Sequence, residues 1–210
     1  MPERLLFRQA IFVHALTWWG VRILSGRAAF MHVFDQGTAE WWAMRLARAV
    51  LTVVIVLAWA RWLGVTPRDL GLGNRGFGRN ALVAAGVTAV LWITIVGMRG
   101  SLTPPAPLDH GVRVLAAITG LVDVLAQQLS TFGLLQGLGA RHLGSRRAFV
   151  LARFSFGLAR MVIATPPVVL GALSAGILFG LLMWKTGNLG AGLGLHSAFY
   201  VLRVVFGWGA

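Results

Sequence analysis

Residues 125–137, "LAQQLSTFGLLQG", place two adjacent glutamines inside an apolar run that extends from about residue 112 to residue 139. An apolar run of this length, without the alternation of a β-strand, is typical of a helix that crosses a membrane, for which about 20 residues are enough. Polar side chains in such a helix are costly and mark functional sites by default. Gln127 and Gln128 therefore predict other polar groups facing them in the folded protein.

The composition indicates that the bilayer surrounds most of this chain. Of its 210 residues, 57% are hydrophobic and only 12% are charged, whereas about 25% of residues are charged in a typical soluble domain. Backbone polar groups inside a bilayer must be paired within helices or a closed barrel, and the long apolar runs lack the alternation of strands. We therefore predict an all-α polytopic transmembrane helical bundle. The chain has no cysteine, so neither a disulfide nor a thiolate metal site is expected.

The apolar pattern predicts about seven membrane segments in one integral membrane domain that comprises residues 1–210. The first segment contains Arg8 and Arg22, so it either spans the membrane or lies in its interface. No small-residue cleavage site follows its apolar stretch, so we expect a retained helix rather than a signal peptide. The predicted segments are residues 5–25, 46–63, 80–98, 112–139, 148–164, 167–184 and 188–208.

The formal charge of +13 comes almost entirely from arginine. Basic residues between apolar segments face anionic lipid headgroups and set the orientation of the chain. We therefore predict membrane lipids, including anionic headgroups, as partners, and we exclude nucleic acid. If all seven segments span, ten basic residues share the side of the N-terminus: Arg4, Arg8, Arg61, Arg68, Arg75, Arg79, Arg141, Arg146, Arg147 and Lys185. Seven lie on the other side: Arg22, Arg27, Arg45, Arg48, Arg99, Arg113 and Arg203. This count favours a cytoplasmic N-terminus, in what we expect to be a bacterial inner (cytoplasmic) membrane.

A short set of polar residues lies within the predicted spans: Asp123, Gln127, Gln128, Arg153, Arg160, His196, Tyr200 and Arg203. Counted from the basic residue that ends each span, Gln127, Arg160 and His196 lie fourteen, thirteen and eleven residues deep. At 1.5 Å per residue, all three are then roughly 16–21 Å from the same membrane face. This common depth predicts one internal site built by three helices. The alternative is that each side chain snorkels or bonds its own helix backbone.

Residues 66–208 resemble the core of the CPBP family, the CAAX-protease and bacteriocin-processing (Abi-type) membrane proteins. Two stretches carry the resemblance, "LGVTPRDLGL" at 63–72 and "GALSAGILFGLLMWKTGNLGAGLGLHSAFY" at 171–200. The second stretch has small residues at Ala172, Gly176 and Gly180, a spacing that lets helices approach closely in lipid.

The resemblance implies three motifs of an intramembrane glutamate protease: Glu-Glu-x-x-x-Arg, Phe-x-x-x-His and His-x-x-x-Asn. In active members, a carboxylate and a histidine activate water, while the second histidine and the asparagine stabilise the oxyanion. In this chain the motif positions hold Gln127, Gln128, Phe132, Phe156, Arg160, His196 and Tyr200. Only the phenylalanine of the second motif and the histidine of the third are kept.

These replacements remove the protease chemistry that the resemblance implies. A glutamine amide does not accept a proton from water near neutral pH, and a permanently charged arginine is not a base. We therefore predict a non-catalytic protein, a pseudoprotease that serves as an accessory or scaffolding subunit of a larger membrane complex. The alternative is a protease of this family that uses Asp123 as a displaced carboxylate and His196 as its partner. An arginine facing Asp123 would argue against that enzyme, and His196 facing Asp123 across a wet cavity would support it.

Two further predictions concern the interior and the outer surface. Asp123 is expected to pair with Arg160, with Gln127 and Tyr200 completing a buried polar network. The first three segments are expected to expose tryptophan pairs and aliphatic faces to other integral membrane subunits, with residues 26–45 lying at the interface.

No cofactor or metal is predicted from the sequence. An intramembrane histidine such as His196 either ligates a haem or chlorophyll-type metal or, as is commoner, bonds a neighbouring helix. The histidines of this chain lack metal-ligand spacing. The glycine-rich residues 71–78 follow no strand, so they do not predict a nucleotide site.

Overall fold

A computed structural model describes residues 3–20, 38–73, 75–99, 109–158 and 166–206 of the protein. Every regular element within these ranges is helical, which confirms the predicted all-α class. Four helices are long and apolar enough to cross a membrane, by length and composition: Ala39–Trp62, Phe77–Thr94, His110–Leu143 and Val169–Thr186. An all-α membrane bundle is therefore the architecture of the protein.

Each predicted segment overlaps one helix. In chain order the helices are α1 Glu3–His14, which continues as the π-helical turn Ala15–Gly20, α2 Ala39–Trp62, α3 Phe77–Arg99, α4 His110–Leu143, α5 Ser145–Leu158, α6 Pro166–Thr186 and α7 Gly190–Phe206. Helix α4 is composite, with α-helical winding over His110–Gln127, π-helical winding over Gln128–Leu138 and α-helical winding again over Gly139–Leu143. The predicted ends of the first, fifth and seventh segments, residues 25, 164 and 208, lie outside the described residues.

Helix α2 begins well before the predicted residue 46. Thr38 caps it in an extended conformation, and its side chain accepts a hydrogen bond from the backbone N–H of Trp41. Glu40 lies in the first turn, where the helix dipole favours an acid. Of the predicted interfacial segment 26–45, residues 39–45 form the first turns of α2, and residues 26–37 lie outside the described part of the chain. Its position at the interface stays a prediction.

The tryptophan pairs of the first segments are buried rather than exposed, contrary to the prediction. Trp41 and Trp42 are only 6% and 9% exposed, and their rings meet edge to face with centroids 4.6 Å apart. Trp18 is 3% exposed and stacks on Phe156 of α5. Aromatic rings in this protein therefore fill helix–helix contacts as well as the membrane interface. Trp62, by contrast, ends α2 and is 78% exposed, the position in which an amphipathic ring lies at the membrane interface.

Helix α4 forms the centre of the bundle. The π-helical segment is buried almost throughout, and Leu129, Phe132 and Leu138 are at most 1% exposed. These side chains pack in one core with residues of α1, α2, α5 and α6. The long apolar run that opened the sequence argument is therefore the element on which the other helices pack.

Helix α1 is attached to this centre through His14. Its Nδ1 lies 2.8 Å from the carbonyl oxygen of Ser130, which only accepts, so Nδ1 carries the proton. The other nitrogen, Nε2, then accepts from the hydroxyl of Ser155 at 2.6 Å. Thr17 adds a bond to the Ser130 hydroxyl at 3.0 Å. His14 is therefore a hydrogen-bonded core histidine that connects α1 with α4 and α5.

Glycines allow the helices on either side of α4 to approach closely. A Cβ on Gly190 or Gly194 of α7 would overlap the backbone carbonyls of Phe77 and Ala81 in α3. The four-residue spacing on both helices gives a parallel α3–α7 pair in backbone contact, as small-xxx-small motifs do in membranes. The predicted close packing of α6 is confirmed at Gly176, where a Cβ would lie 3.1 Å from the backbone oxygen of the neighbouring α5.

The loop between α2 and α3 is held against the ends of α4 and α7. Leu189, which precedes α7, donates its backbone N–H to the carbonyl of Gly71 at 2.9 Å. Asp69 accepts from the backbone and hydroxyl of Thr66 and forms an ion pair with Arg141 at the end of α4. Partial burial raises the pKa of Asp69, but the bonds from Thr66 and Arg141 outweigh this effect and hold the pKa below its ordinary value. The stretch "LGVTPRDLGL" therefore joins three elements at one end of the bundle.

The glycine contact between α3 and α7 makes a prediction with a matched control. Gly194→Ala should lower the free energy of unfolding by about 3 kcal/mol, because the added methyl group meets backbone atoms that have no rotamer to change. Gly86→Ala on α3 faces open space, so it should raise stability by about 0.5–1 kcal/mol through helix propensity. Thermal unfolding of both variants in detergent measures the difference. Equal effects of the two substitutions would contradict this packing.

Candidate functional site

Asp123 of α4 is the centre of a buried polar group. Its side chain is 6% exposed, and its Oδ2 accepts from Arg45 Nη2 of α2 and from Gln127 Nε2, each at 3.0 Å. Arg48 Nη2 lies 3.7 Å from Oδ1. We call Arg45, Arg48, Asp123 and Gln127 the carboxylate–arginine centre. The contact between Asp123 and Gln127 follows from their four-residue spacing on a helix, as the sequence predicted.

The register of α2 against α4 brings the arginines to Asp123. The hydroxyl of Thr119 donates to the carbonyl of Trp42 at 3.3 Å, and one turn further along both helices Arg45 meets Asp123. The two helices therefore run parallel at this point. The Arg45 guanidinium also lies over the rings of Trp41 and Trp42, 4.7 and 5.1 Å from their centroids. Aromatic faces and a carboxylate together replace the water that this cation loses.

Sequence reasoning missed both arginine partners. The sequence assigns Arg45 and Arg48 to the membrane surface because they flank residue 46, the predicted start of the second segment. The helix-start signal at Thr38 and Glu40 places both arginines inside the helix, three residues apart and on one face. The predicted partner Arg160 lies outside the described residues, so its pairing with Asp123 stays a prediction.

Tyr200 of α7 lies beside the carboxylate–arginine centre. Its ring occupies the space where a Cβ of Gly120 would be, three residues before Asp123 on α4. Tyr200 also lies close enough to Arg48 for an electrostatic interaction. The structure therefore brings Tyr200 to Gly120, one turn before Asp123, and Gly120 makes room for its ring; its hydrogen bonding within the predicted network stays a prediction.

Three of the family motif positions meet in an aromatic group. Phe132 of α4 and Phe156 of α5 have ring centroids 5.6 Å apart. His196 of α7 stacks on Phe179 of α6 at 4.8 Å and contacts Phe156 edge to face at 6.3 Å. Four helices thus supply rings to one cluster, and Phe132, which replaces the arginine of the first motif, is a fully buried member of it. Arg153, a predicted polar residue of α5, instead lies over the rings of Phe149 and Phe154 outside this cluster.

The two adjacent glutamines face different neighbours. Gln127 donates to Asp123, whereas Gln128, 1% exposed, lies against α7. A Cβ on Gly192, one turn before His196, would lie 2.9 Å from Gln128 Oε1. Gln128 Nε2 has no acceptor within the described ranges. π-Helical winding begins at this residue, and π-helical insertions are frequent at functional sites.

The polar groups of this site are hydrogen-bonded to one another, an arrangement suited to holding an ion pair rather than to activating water. Asp123 already accepts from Arg45 and Gln127 at hydrogen-bond distance, and the amide of Gln128 is not basic. Within the described ranges, no group of three or more His, Asp or Glu side chains is placed to hold a metal ion. The site is therefore a buried ion pair beside an aromatic cluster.

Comparison with known proteins identifies the domain that carries these positions. Residues 109–202 match the family model described as Type II CAAX prenyl endopeptidase Rce1-like. The resemblance to the CPBP family is thereby confirmed over this range, which holds α4, α5, α6 and most of α7 together with all seven motif positions. The extension of the core to residues 66–208 stays a prediction. No curated protein and no solved structure matched the chain.

The ion pair predicts non-additive effects of substitution. Asp123→Asn alone should lower the free energy of unfolding by about 3–5 kcal/mol, because it leaves two buried arginines without their carboxylate. Arg45→Gln alone should lower it by less, because Arg48 stays close to Asp123. The double variant should lose clearly less than the sum of the two, by about 0.5–3 kcal/mol. Thermal unfolding in detergent of the wild type, both single variants and the double variant measures this coupling.

Arg153→Gln provides the matched control for this cycle. Arg153 contacts aromatic rings of its own helix, so its loss should add to that of Asp123→Asn without coupling. The same cycle with Arg160→Gln tests the predicted Asp123–Arg160 pair. Strictly additive losses for Asp123 and Arg45 would show that their contact does not stabilise the fold.

Proposed function

We propose that this chain, whose residues 109–202 form an Rce1-like domain in the membrane, is a non-catalytic member that serves as an accessory or scaffolding subunit of a membrane complex. The observation that carries this proposal is the pairing of Asp123 with Arg45 and Gln127. Asp123 is the carboxylate nearest to the glutamines that replace the family's catalytic pair, and its acceptor sites are engaged by arginine and amide donors.

The chemistry of the motif positions supports this proposal. A general base needs a free, basic lone pair within reach of the water that it deprotonates. Neither glutamine amide is basic, and the arginine at position 160 is charged at all accessible pH values. Tyr200 replaces the asparagine of the oxyanion site, and its ring packs on Gly120. The base, its histidine partner and one oxyanion donor are thus all replaced.

The alternative, a protease that uses Asp123 and His196, has less support. Asp123 accepts from Arg45 at 3.0 Å, with Arg48 close to its second oxygen. His196 stacks on Phe179 within the aromatic cluster. A carboxylate with two guanidinium neighbours is a poor proton acceptor because protonation would break its ion pairs. The retained His196 is the one feature that favours the alternative.

We place the contact with other membrane subunits on α3. This helix lies outside the Rce1-like domain and packs mainly on α7. Its outward side chains are among the most exposed apolar residues of the described chain: Leu82 76%, Val83 60%, Val90 64% and Ile93 67%. Such a face packs equally well against lipid chains or against another transmembrane helix, and a scaffolding role requires the second.

The non-catalytic assignment predicts the absence of proteolysis. The purified protein in proteoliposomes should release no product from farnesylated CAAX-type peptides or leader peptides. Gln127→Glu alone should not restore cleavage, because Arg160 still occupies the position of the water-activating histidine. Product release is followed by mass spectrometry, with an active Rce1-like enzyme as the positive control. Turnover by the unmodified protein that is lost in both His196→Ala and Asp123→Asn would establish the alternative enzyme instead.

The scaffolding role predicts a partner helix on α3. A photo-crosslinking amino acid at Leu82 should capture, in native membranes, a membrane protein that also co-purifies at fixed stoichiometry in mild detergent. The same amino acid at Leu170 of α6, which is similarly exposed at 64%, is the matched control and should capture lipid. Lipid adducts alone at both positions, together with a protein that purifies by itself, would contradict the proposal.

A further inference from the structure

Exposed cations gather at one end of the bundle. The contacts of Asp69 with Arg141, Gly71 with Leu189 and Phe7 with His142 show that these segments meet at one end. The exposed basic residues there are Arg8, Arg61, Arg68, Arg75, Arg79, Arg141, Arg146, Arg147 and Lys185. Among the side chains that the structure describes, the acidic residue at this end is Asp69, and it already forms an ion pair with Arg141.

The opposite end presents less charge to its surroundings than its sequence suggests. Arg45 and Arg48 turn inward to Asp123, and their side chains are only 18% and 16% exposed. The count of ten basic residues against seven therefore understates the difference in exposed positive charge between the two ends. An excess of surface cations at one end is the pattern of a membrane face that meets anionic lipid.

One part of this end combines cations with an exposed aromatic ring. Arg146 and Arg147 lie in the first turn of α5, and Lys185 lies in the last turn of α6. The two helix ends adjoin, since Phe149 and Trp184 have ring centroids 5.7 Å apart. We call Arg146, Arg147, Trp184 and Lys185 the basic corner.

Arg146 and Arg147 do not stabilise the helix on which they lie. Arg146 and Arg147 lie where the dipole of α5 disfavours cations, and the first turn of this helix contains no acid. No ion pair of either arginine is present within the described ranges. The corner is therefore an accumulation of positive charge that an external anion would stabilise.

We propose that the basic corner binds the phosphate groups of anionic phospholipids in the adjacent leaflet. Trp184 is 46% exposed and ends an apolar helix, which is where an amphipathic ring lies at headgroup level. Leu181 and Leu178, one and two turns before the corner on α6, are 39% and 43% exposed and offer contact to the acyl chains. One continuous surface of the protein therefore contacts both the charged headgroup and the acyl chains of a phospholipid. The inference is independent of whether the domain is catalytic.

Tryptophan quenching in proteoliposomes tests this assignment. In a Trp62→Phe background, Trp184 becomes the most exposed of the described tryptophans. Brominated phosphatidylglycerol should quench its fluorescence with an apparent affinity about fivefold above that of brominated phosphatidylcholine, the order expected for a basic residue near an anionic surface. Raising the ionic strength to about 1 M should reduce this preference, because exposed charges are screened.

Two triple variants distinguish lipid binding at the basic corner from attraction by the overall positive charge of this end. Arg146→Gln, Arg147→Gln and Lys185→Gln together should bring the lipid preference close to one. A second triple variant loses the same number of charges from the same end and should keep most of the lipid preference. Its substitutions are Arg61→Gln, Arg75→Gln and Arg79→Gln. Equal losses in both variants, or no preference in the parent protein, would overturn the proposal. Loss of the preference on adding inorganic phosphate at constant ionic strength, with chloride having no such effect, would assign the corner to free phosphate instead of lipid.

Discussion

A charged side chain in hydrocarbon must be paired, and Asp123 and Arg45 meet this requirement by pairing with each other. The arrangement of the bundle depends on this contact. The two residues are 78 positions apart, so their pairing sets the register of α2 against α4. That register packs Trp41 and Trp42, which lie one turn before the arginine on the same helix, against Ala116. A shift of α2 that moved both Arg45 and Arg48 away from Asp123 would leave the carboxylate unpaired at a cost of several kcal/mol. The ion pair therefore selects one arrangement where apolar packing alone would permit several.

The π-helical segment of α4, Gln128–Leu138, makes polar contacts with several other helices. Its first residue, Gln128, lies against α7, and Ser130 accepts the hydrogen bond that holds α1. Gln136 donates to the carbonyl of Gly180 in α6 at 2.8 Å. Each contact reaches a different helix, so one buried segment connects most of the bundle. Polar side chains in a membrane core are costly only when they lack partners, and here most of them join helices together.

The interactions that hold this bundle differ from those that a protease needs. Close helix contacts rest on glycines such as Gly194, on the His14 hydrogen bonds and on the Asp123 ion pair. None of these requires a glutamate pair or a second histidine. A fold stabilised in this way does not depend on the side chains that the family resemblance implies for catalysis, which is consistent with the proposed scaffolding role. At Phe132, where the resemblance implies an arginine, a ring packs against Phe156 in the core.

The sequence by itself determined the helical class, the seven segments within a few residues at most boundaries, the resemblance to the CPBP family and the Asp123–Gln127 contact. Each depends on local information, either apolar runs or side chains one helical turn apart. The tertiary structure alone decided that Arg45 pairs with Asp123, that the Trp41–Trp42 pair is buried and that Gln127 and Gln128 face different neighbours. These depend on which helix lies beside which, and on the π-helical winding that starts at Gln128. Helix neighbours follow from packing between residues far apart in the chain, which a local pattern does not contain.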